Sequence, residues 1–432
     1  MERRRSIILV AFIVNYLIGG ALKATKSFKI AKQVVWEAYQ QVKRNGGSSG
    51  IDGQSISNFE INLKDNLYKI WNRLSSGTYF PPSVKGVEIP KKSGGVRILG
   101  IPTVSDRIAQ MAVKILLEPK LEPLFDPDSY GYRPNKSAHD AIKITRERCW
   151  KYDWVIEFDI KGLFDNLSHK LLMKALKHHC NCKHTLLYIE RWLKVPLIKN
   201  DGEILARTQG TLQGGVISPL LANLFMHYAF DAWVRRTFSE IPFCRYADDG
   251  LLHCQGKKQA EHVLEQLGKR FQECGLELHP KKTKIIYCKD RNRKAEYENI
   301  QFDFLGYTFR PRRCADKKGV VHPNFLPAIS KAALKSIGRE IRRWNIAYLS
   351  DKSIFDLSRM YNSKIVGWQN YYGRYYPSAL NTIWERINWY LVRWIRRKYK
   401  KLATHKIRAI KFLRNIAISH KNLFKHWSLG VI

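Results

Sequence analysis

The sequence predicts an α+β fold in which a small sheet carries acidic residues and most of the remaining chain is helical. Three observations predict it. Short strand-like runs, VKGVEIP and VIEFDI among them, alternate with segments of helical apolar spacing. The stretch FCRYADDGLLHC (243–254) reads as two strands around a tight turn, with the adjacent carboxylates Asp248 and Asp249 at the turn. The last hundred residues are basic, aromatic and helical in pattern.

Taken in order, the first 22 residues, MERRRSIILVAFIVNYLIGGAL, have a basic start, an apolar run and small residues at the end, as a secretory signal does. The run is short for a membrane span. Residues 1–23 are therefore read as an apolar extension of the body or a buried helix, with a signal or anchor as the alternative. From Lys26 to Asn45, Phe28, Ala31, Val35, Ala38 and Val42 recur at helical spacing, and GGSSGIDGQS (46–55) ends that helix in a loop. Residues 84–101 read as a hairpin around Lys-Lys-Ser-Gly-Gly, and VIEFDI (155–160) as a short strand. SHKLLMKALKHH (168–179) and residues 219–236 are helical, as is AEHVLEQLGKRFQECG (260–275), which ends at a glycine.

Residues 325–432 hold 22 Lys and Arg against four Asp and Glu, with 18 aromatics. A helix is expected over 379–401, with Ile383, Ile387, Tyr390 and Trp394 on one stripe. Arg386, Trp389, Arg393, Arg397 and Lys400 form an adjacent stripe, suited to a sugar–phosphate backbone or simply to solvent.

The whole chain carries 75 Lys and Arg against 37 Asp and Glu, a net charge of +38. A surplus of that size needs a polyanion, either nucleic acid or an anionic membrane surface. Twelve Trp and 21 Tyr favour nucleic acid, because rings give bases a stacking surface. The eight cysteines are scattered without a CxxC pair and read as reduced thiols of a cytoplasmic protein. The cluster HHCNCKH (178–184) lacks a second Cys/His pair at finger spacing, which weakens a zinc reading.

Asp248 and Asp249 pose the main question. An Asp-Asp-Gly segment is most often a solvated turn, but burying two like charges requires a compensating cation. A third carboxylate, Asp159, ends the strand VIEFDI. If that strand lies beside the hairpin, Asp159 and Asp248 can face each other across two divalent ions about 4 Å apart, the arrangement of in-line phosphoryl transfer.

The surrounding motifs are GIDG (50–53), IPKKSGGVRILGIPTVSDRIAQ (89–110), SYGYRPNKSAHDA (129–141), FDIKGLFDNL (158–167), GTLQGGVISPLLANL (210–224), RYADDGLL (245–252), GLELHPKKTK (275–284), FDFLGYTF (302–309) and GWQNYYGRY (367–375). In this order, from about Lys26 to the C-terminus, the chain resembles the reverse transcriptases of bacterial group II introns, the intron maturases. The resemblance implies a right-hand polymerase with fingers over 24–150, a palm with a small antiparallel sheet over 151–315, and a helical basic thumb, or maturase domain, over 325–432. It implies RNA-directed DNA synthesis from dNTPs with two Mg²⁺ ions, Mn²⁺ being able to substitute. The implied partners are intron RNA, an RNA template with a DNA or RNA primer, and target DNA, with no stable membrane partner. No Cys-rich or His-Asn-His nuclease segment follows the thumb region, so no endonuclease domain is expected. A maturase acting only as a splicing cofactor and a polymerase recruited to host repair or defence are the rival readings.

The resemblance also implies site roles. Asp159, Asp248 and Asp249 would be catalytic, and with Ile160 they make up the implied metal set, a structural role being the alternative for Asp249. Lys282 is the implied general acid for departing pyrophosphate, with the neighbouring Lys281 and Lys284 as alternatives. Lys91 and Arg97 would reach the triphosphate, Phe164 would exclude a 2′-hydroxyl, and Gln213 and Gly214 would lie under the nucleotide and template base. Leu212 stands where the family usually has proline. Arg133, Tyr246, Phe304, Leu305 and Gly306 would contact primer or template, with a fold-holding ion pair as the alternative for Arg133. Arg386, Trp389, Arg393, Arg397 and Lys400 would bind RNA.

Overall fold

The computed structural model describes residues 30–90, 95–315 and 319–431. The apolar extension at 1–23 lies outside them, as does Lys91. Among the described residues no helix is long and apolar enough to cross a membrane. The chain divides into two compact units, each drawn from separated stretches. The first comprises the described residues up to Lys136, Phe158–Gly250 and His262–Thr283; the second comprises Ser137–Glu157, Leu251–Glu261 and the described residues from Lys284 onward.

In the first unit, helices α1 (Lys32–Asn45), α2 (Ile56–Ile61) and α3 (Leu63–Ser76) precede a hairpin of β1 (Val84–Pro90) and β2 (Val96–Ile101). β1 pairs antiparallel with β2 and parallel with β4 (Leu197–Ile198), which turns back into β5 (Ile204–Leu205). The long helix α4 (Val104–Leu121) starts at Thr103, whose hydroxyl accepts the Asp106 N–H at 3.2 Å. Inside the unit, Asp106 accepts hydrogen bonds from Tyr79, Trp192 and Gln110 at 2.8–2.9 Å. Burial nevertheless pushes its carboxyl up to about 6, because desolvation outweighs the three donors.

Further along come α5 (Ala138–Lys151), β3 (Trp154–Asp159), α6 (Leu163–Asn166), α7 (His169–His179) and α8 (Lys183–Lys194). The helix expected over 219–236 is interrupted. It consists of α9 (Ser218–Met226), a π turn over His227–Asp231 and α10 (Ala232–Thr237). Such a turn inserts one residue into the helical path, and Asp231 at its end is fully buried against Arg245. β6 (Phe243–Tyr246) and β7 (Asp249–Cys254) make the expected hairpin, and α11 (Lys257–Glu273) ends at Gly275, which has a left-handed backbone (φ 75°). With β8 (Lys284–Tyr287), the acid-bearing sheet has the order β6-β7-β3-β8.

The second unit contains a three-stranded antiparallel sheet, β9 (Phe302–Phe304), β10 (Tyr307–Ala315) and β11 (Val321–Ile329), in the order β11-β10-β9. Four helices follow: α12 (Lys331–Arg343), α13 (Ile354–Tyr372), α14 (Asn381–Lys398) and α15 (Lys406–Ser419). Ser330 caps α12, and Ser353 with Asp356 forms a capping box on α13. Their core gathers Ile337, Ile341, Leu357, Ile365, Trp384, Leu391 and Trp394. Ile383, Ile387 and Trp394 of the expected apolar stripe are buried there, whereas Tyr390 stays half-exposed.

Candidate active site

The carboxylates come together because three stretches of one unit converge. Asp159 closes β3, and its carbonyl accepts the His279 N–H at 2.8 Å, which draws the HPKKTK loop alongside. Lys282 of that loop places its ammonium 3.0 Å from Asp159 Oδ2. The turn between β6 and β7 brings Asp248 and Asp249 near enough to Asp159 for its charge to raise both carboxyls. Beneath them lie four fully buried rings, Phe158, Phe230, Phe243 and Phe271, with neighbouring centroids 4.9–6.2 Å apart. The glycine of Asp-Asp-Gly is dictated by this floor, since a Cβ on Gly250 would stand 2.1 Å from the Phe158 ring.

Burial over an apolar floor has an electrostatic consequence. It pushes Asp249 from 3.8 up to about 7, with the charges of Asp248 and Asp159 adding to the rise. Asp248 is raised too, chiefly by burial, while Lys282 and Arg245 oppose the rise. The donor set of three carboxylates, without thiol or imidazole, suits a hard divalent cation. Among the described residues no three His, Cys, Asp or Glu side chains form a ready-made cage for an ion. Like charges this close repel, and the Lys282 ammonium beside Asp159 eases that repulsion in part. The site therefore fits a divalent metal by its all-oxygen donor set, and the Asp248 and Asp249 carboxyls stay raised even with Lys282 beside them. Ile160 is 2 % exposed, so only its backbone could join such a set.

The other expected residues are held by contacts of their own. Arg97 is exposed on β2, opposite Ile89. Phe164 is half-buried on α6, where its carbonyl accepts the Thr211 N–H at 2.6 Å. The Gln213 carbonyl accepts the Gly100 N–H at 2.7 Å, and Gln110 Oε1 accepts the Val216 N–H at 2.8 Å, so the LQGG loop is held against β2 and α4. Leu212 packs with Val84, Val195 and Leu197, a core role that needs no proline. Gly214, expected under the nucleotide and template base, lies against the hairpin. Its left-handed backbone (φ 110°) lies so close to Gly100 that a Cβ would meet that carbonyl oxygen at 2.4 Å. The close approach is made by the protein's own hairpin, which accounts for the glycine without a ligand.

Two more of the expected residues are engaged within the protein. Arg133 contacts Glu122 at 2.8 Å and donates to the carbonyls of Asp126 and Ser129; its side chain is 6 % exposed, so its donors hold the fold. Phe304 is buried at the end of β9 and turns its ring into the core. Leu305 and Gly306 form the two-residue turn to β10, both left-handed (φ 51° and 79°), and the Tyr371 hydroxyl donates to the Leu305 carbonyl at 2.9 Å. Tyr246 ends β6 half-buried.

Tyr132 is a residue that sequence pattern alone does not single out. It is 55 % exposed with a left-handed backbone (φ 57°). Its hydroxyl is raised by partial burial and by the charges of Asp248 and Tyr246, while Arg97 opposes. An aromatic residue in a left-handed conformation could have drawn notice only from its backbone, which the sequence does not display.

On α14, Arg386, Trp389, Arg393 and Arg397 are exposed as expected. Lys400 is exposed too but lies beyond the helix, which ends at Lys398, in a 3₁₀ turn. Arg386, Trp389, Tyr390 and Arg393 line a cavity of about 460 Å³; Arg342, Tyr348, Tyr390, Arg393, Arg396 and Arg397 line another of about 620 Å³. The Arg397 guanidinium sits 4.1 Å from the Tyr348 ring centre, and Lys406 sits 4.4 Å from that of Trp389.

Residues 89–309 match the family model described as reverse transcriptase (RNA-dependent DNA polymerase). The chain belongs to the reverse transcriptase family. Residues 334–412 match a second model, the group II intron maturase-specific domain, which places this reverse transcriptase in the group II intron branch. The right-hand polymerase fold and the dependence on a divalent metal are general to the family. The reverse transcriptase is 36% identical over 203 residues to the group II intron-encoded protein LtrA of Lactococcus lactis, covering 46% of this chain and 33% of that protein. It thus spans about a third of that relative's length. It is 33% identical over 278 residues to protein YkfC of Escherichia coli, covering 56% of this chain and 73% of that protein. A solved telomerase from Candida albicans, in complex with a fragment of telomeric RNA, is similar at 15% identity and a TM-score of 0.45, covering 87% of this chain and 68% of that one.

Proposed function

We propose that this reverse transcriptase synthesises DNA on an RNA template by two-metal phosphoryl transfer, and that it binds its intron RNA to assist splicing and mobility. The observation that carries the reading is the convergence of Asp159, Asp248 and Asp249, with Lys282, over a floor of buried rings. Binding RNA alone requires none of these groups, so their assembly argues against a maturase that acts only as a splicing cofactor.

In this reading Asp159, Asp248 and Asp249 hold two Mg²⁺ ions, which supply charge neutralisation and activation of the primer 3′-hydroxyl. That oxygen attacks the α-phosphorus of the incoming dNTP, the bond from the α-phosphorus to the bridging oxygen breaks, and pyrophosphate departs. Arg97 and Lys91 grip the triphosphate from the finger hairpin, Arg97 through a bidentate fork. Phe164 presents its ring to the sugar, and Gln213 lies beneath the base. Lys282 delivers a proton to the leaving pyrophosphate. Tyr246 and the Leu305–Gly306 turn steady the primer end. Fingers over 24–150, palm over 151–315 and thumb over 325–432 are the proposed division of labour, with the cytoplasm as the setting. The exposed Arg386, Trp389, Arg393, Arg397 and Lys400 carry the RNA contact.

The deciding experiment is primer extension on an RNA template with dNTPs and Mg²⁺, comparing the wild type with Asp248→Ala. Extension lost in the variant with RNA binding retained supports the reading. A folded, RNA-binding wild type that fails to extend overturns it and brings the splicing cofactor forward.

A further inference from the structure

Arg245 precedes the catalytic turn by three residues and is fully buried, as is its partner Asp231. A buried ion pair is a poor source of stability, because desolvation cancels most of the attraction and apolar residues can serve as well. The geometry around this pair suggests a different use. A guanidinium has five N–H donors, and each of the five here meets an acceptor. Nε and Nη2 donate to the two Asp231 oxygens at 2.7 Å, and Nη2 also donates to Ser129 Oγ at 2.7 Å. Nη1 donates to Asn223 Oδ1 at 3.2 Å and to the Ala247 carbonyl at 3.1 Å.

The last of these hydrogen bonds bears on function. Ala247 has a left-handed backbone (φ 60°), which costs an alanine about 1–2 kcal/mol and persists only where the surroundings enforce it. Its carbonyl carbon is bonded to the nitrogen of Asp248. On the opposite side, Gly131 approaches so closely that a Cβ there would stand 2.5 Å from the Ala247 nitrogen. The Gly131 carbonyl accepts from Asn223 Nδ2 at 2.7 Å, and the Asn223 Oδ1 accepts from the same Arg245 Nη1. Arg245, Asn223, Gly131 and Ala247 thus close a ring around the turn. The Arg245 backbone is fixed as well, its N–H donating to Asp128 at 2.9 Å and its carbonyl accepting from Tyr130 at 2.8 Å.

We infer that Arg245 is a positioning residue for polymerisation: locked by Asp231, its guanidinium holds Ala247 in the left-handed conformation and thereby aims Asp248. The inference rests on the polymerase reading above. The π turn has a part in this device, since Asp231 stands at its end. Were Arg245 only a counter-ion for Asp231, lysine would replace it. Lysine keeps the charge but has no planar fork with which to reach Asp231 and Ala247 together.

The test compares wild type, Arg245→Lys and Gly131→Ala. The second variant pushes on the turn from its other side and leaves the ion pair intact, so it decides the matter if Arg245→Lys does not fold. Steady-state extension is measured per folded molecule, together with amide exchange of the peptide spanning 245–250. Misplacing a catalytic group by about 1 Å costs on the order of 100-fold. The expected result is a kcat lowered by about tenfold to 100-fold, with dNTP KM and RNA affinity within about twofold of wild type, and exchange accelerated in that peptide above the rest of the chain. Wild-type kcat in folded variants, or exchange that rises uniformly with a kcat loss matching the lost folded fraction, overturns the inference. A wild type that fails to extend at all marks failure of the polymerase reading instead, and the exchange data, which need no turnover, still decide whether Arg245 holds the turn.

Discussion

The Lys282 ammonium lies 3.0 Å from Asp159 Oδ2, with half of the lysine side chain open to solvent. Two roles fit that arrangement, and they separate experimentally. As a counter-ion, Lys282 would only ease repulsion among the carboxylates, and excess metal would replace it. As the proton donor to pyrophosphate it acts in the transition state, where such groups contribute about 10²-fold or more. Lys282→Ala is expected to lower kcat by about that factor at saturating Mg²⁺. Full rescue by raising Mg²⁺ would assign Lys282 the counter-ion role.

The raised carboxyl of Asp249 predicts how stability varies with pH. A group whose folded value is raised from 3.8 to about 7 holds its proton longer in the folded state than in the unfolded one. The folded state therefore binds more protons between those values, and stability falls as pH rises through that window. Asp248 shifts in the same direction, through burial. In metal-free protein, Asp249→Asn is expected to flatten this decline and to melt higher than wild type at pH 8. Equal pH slopes for the two proteins would show that Asp249 is already ionised at pH 5.

The sequence made some parts of this site readable and hid others, for physical reasons. The strand pattern of VIEFDI and the adjacent Asp248 and Asp249 allowed the carboxylates to meet if two strands lay side by side, and the ordered motifs of the resemblance supplied that pairing. Trp389 and the arginines of α14 were legible because helical spacing alone sets which residues share a face. Arg245 was not, since a single arginine between Cys244 and Tyr246 gives no sign of a partner 14 residues upstream on a π turn. What the glycines face was hidden for a related reason. A missing side chain shows that something comes close, but in Gly214 it is the Gly100 carbonyl and in Gly250 the Phe158 ring. For Arg133 the sequence left a template contact and a fold-holding ion pair both open, because its partners, one carboxylate and three backbone carbonyls, depend on a loop path that local pattern does not encode.

Phe164 gives a prediction about substrate choice. Its backbone is pinned to Thr211 while its ring remains half-exposed, so shortening the side chain opens space without releasing the loop. Phe164→Ala is expected to raise ribonucleotide incorporation relative to deoxynucleotides by about tenfold or more, since exclusion of one hydroxyl by shape is worth about 1–3 kcal/mol. Competing rNTP and dNTP in single-nucleotide extension measures the ratio. Equal discrimination by wild type and variant would remove Phe164 from the sugar contact.

Arg133 separates structure from RNA contact. Removing a mostly buried guanidinium leaves the Glu122 carboxylate and three carbonyls without their donor, so Arg133→Ala is expected to cost about 2 kcal/mol or more of stability. RNA affinity per folded molecule should stay within about twofold, because the side chain is only 6 % exposed. Denaturant unfolding and RNA titration of the same preparation check both halves. A large affinity loss at unchanged stability would return Arg133 to the RNA surface.

The surface of α14 combines two kinds of interaction that salt distinguishes. Arg393 and Arg397 border the two cavities with their charges, whereas Trp389 offers a ring that is 47 % exposed. Phosphate neutralisation releases counterions, so wild-type affinity for intron RNA should fall steeply between about 50 and 200 mM salt. Replacing Arg393 or Arg397 by Gln should weaken binding and reduce the log–log salt slope by about one for each phosphate left unneutralised. Trp389→Ala should cost about 1–3 kcal/mol by removing a stacking surface and leave the slope unchanged. Titrations at several salt concentrations measure affinity and slope together. A slope that Arg393→Gln and Arg397→Gln leave untouched would place the phosphate backbone elsewhere on the protein.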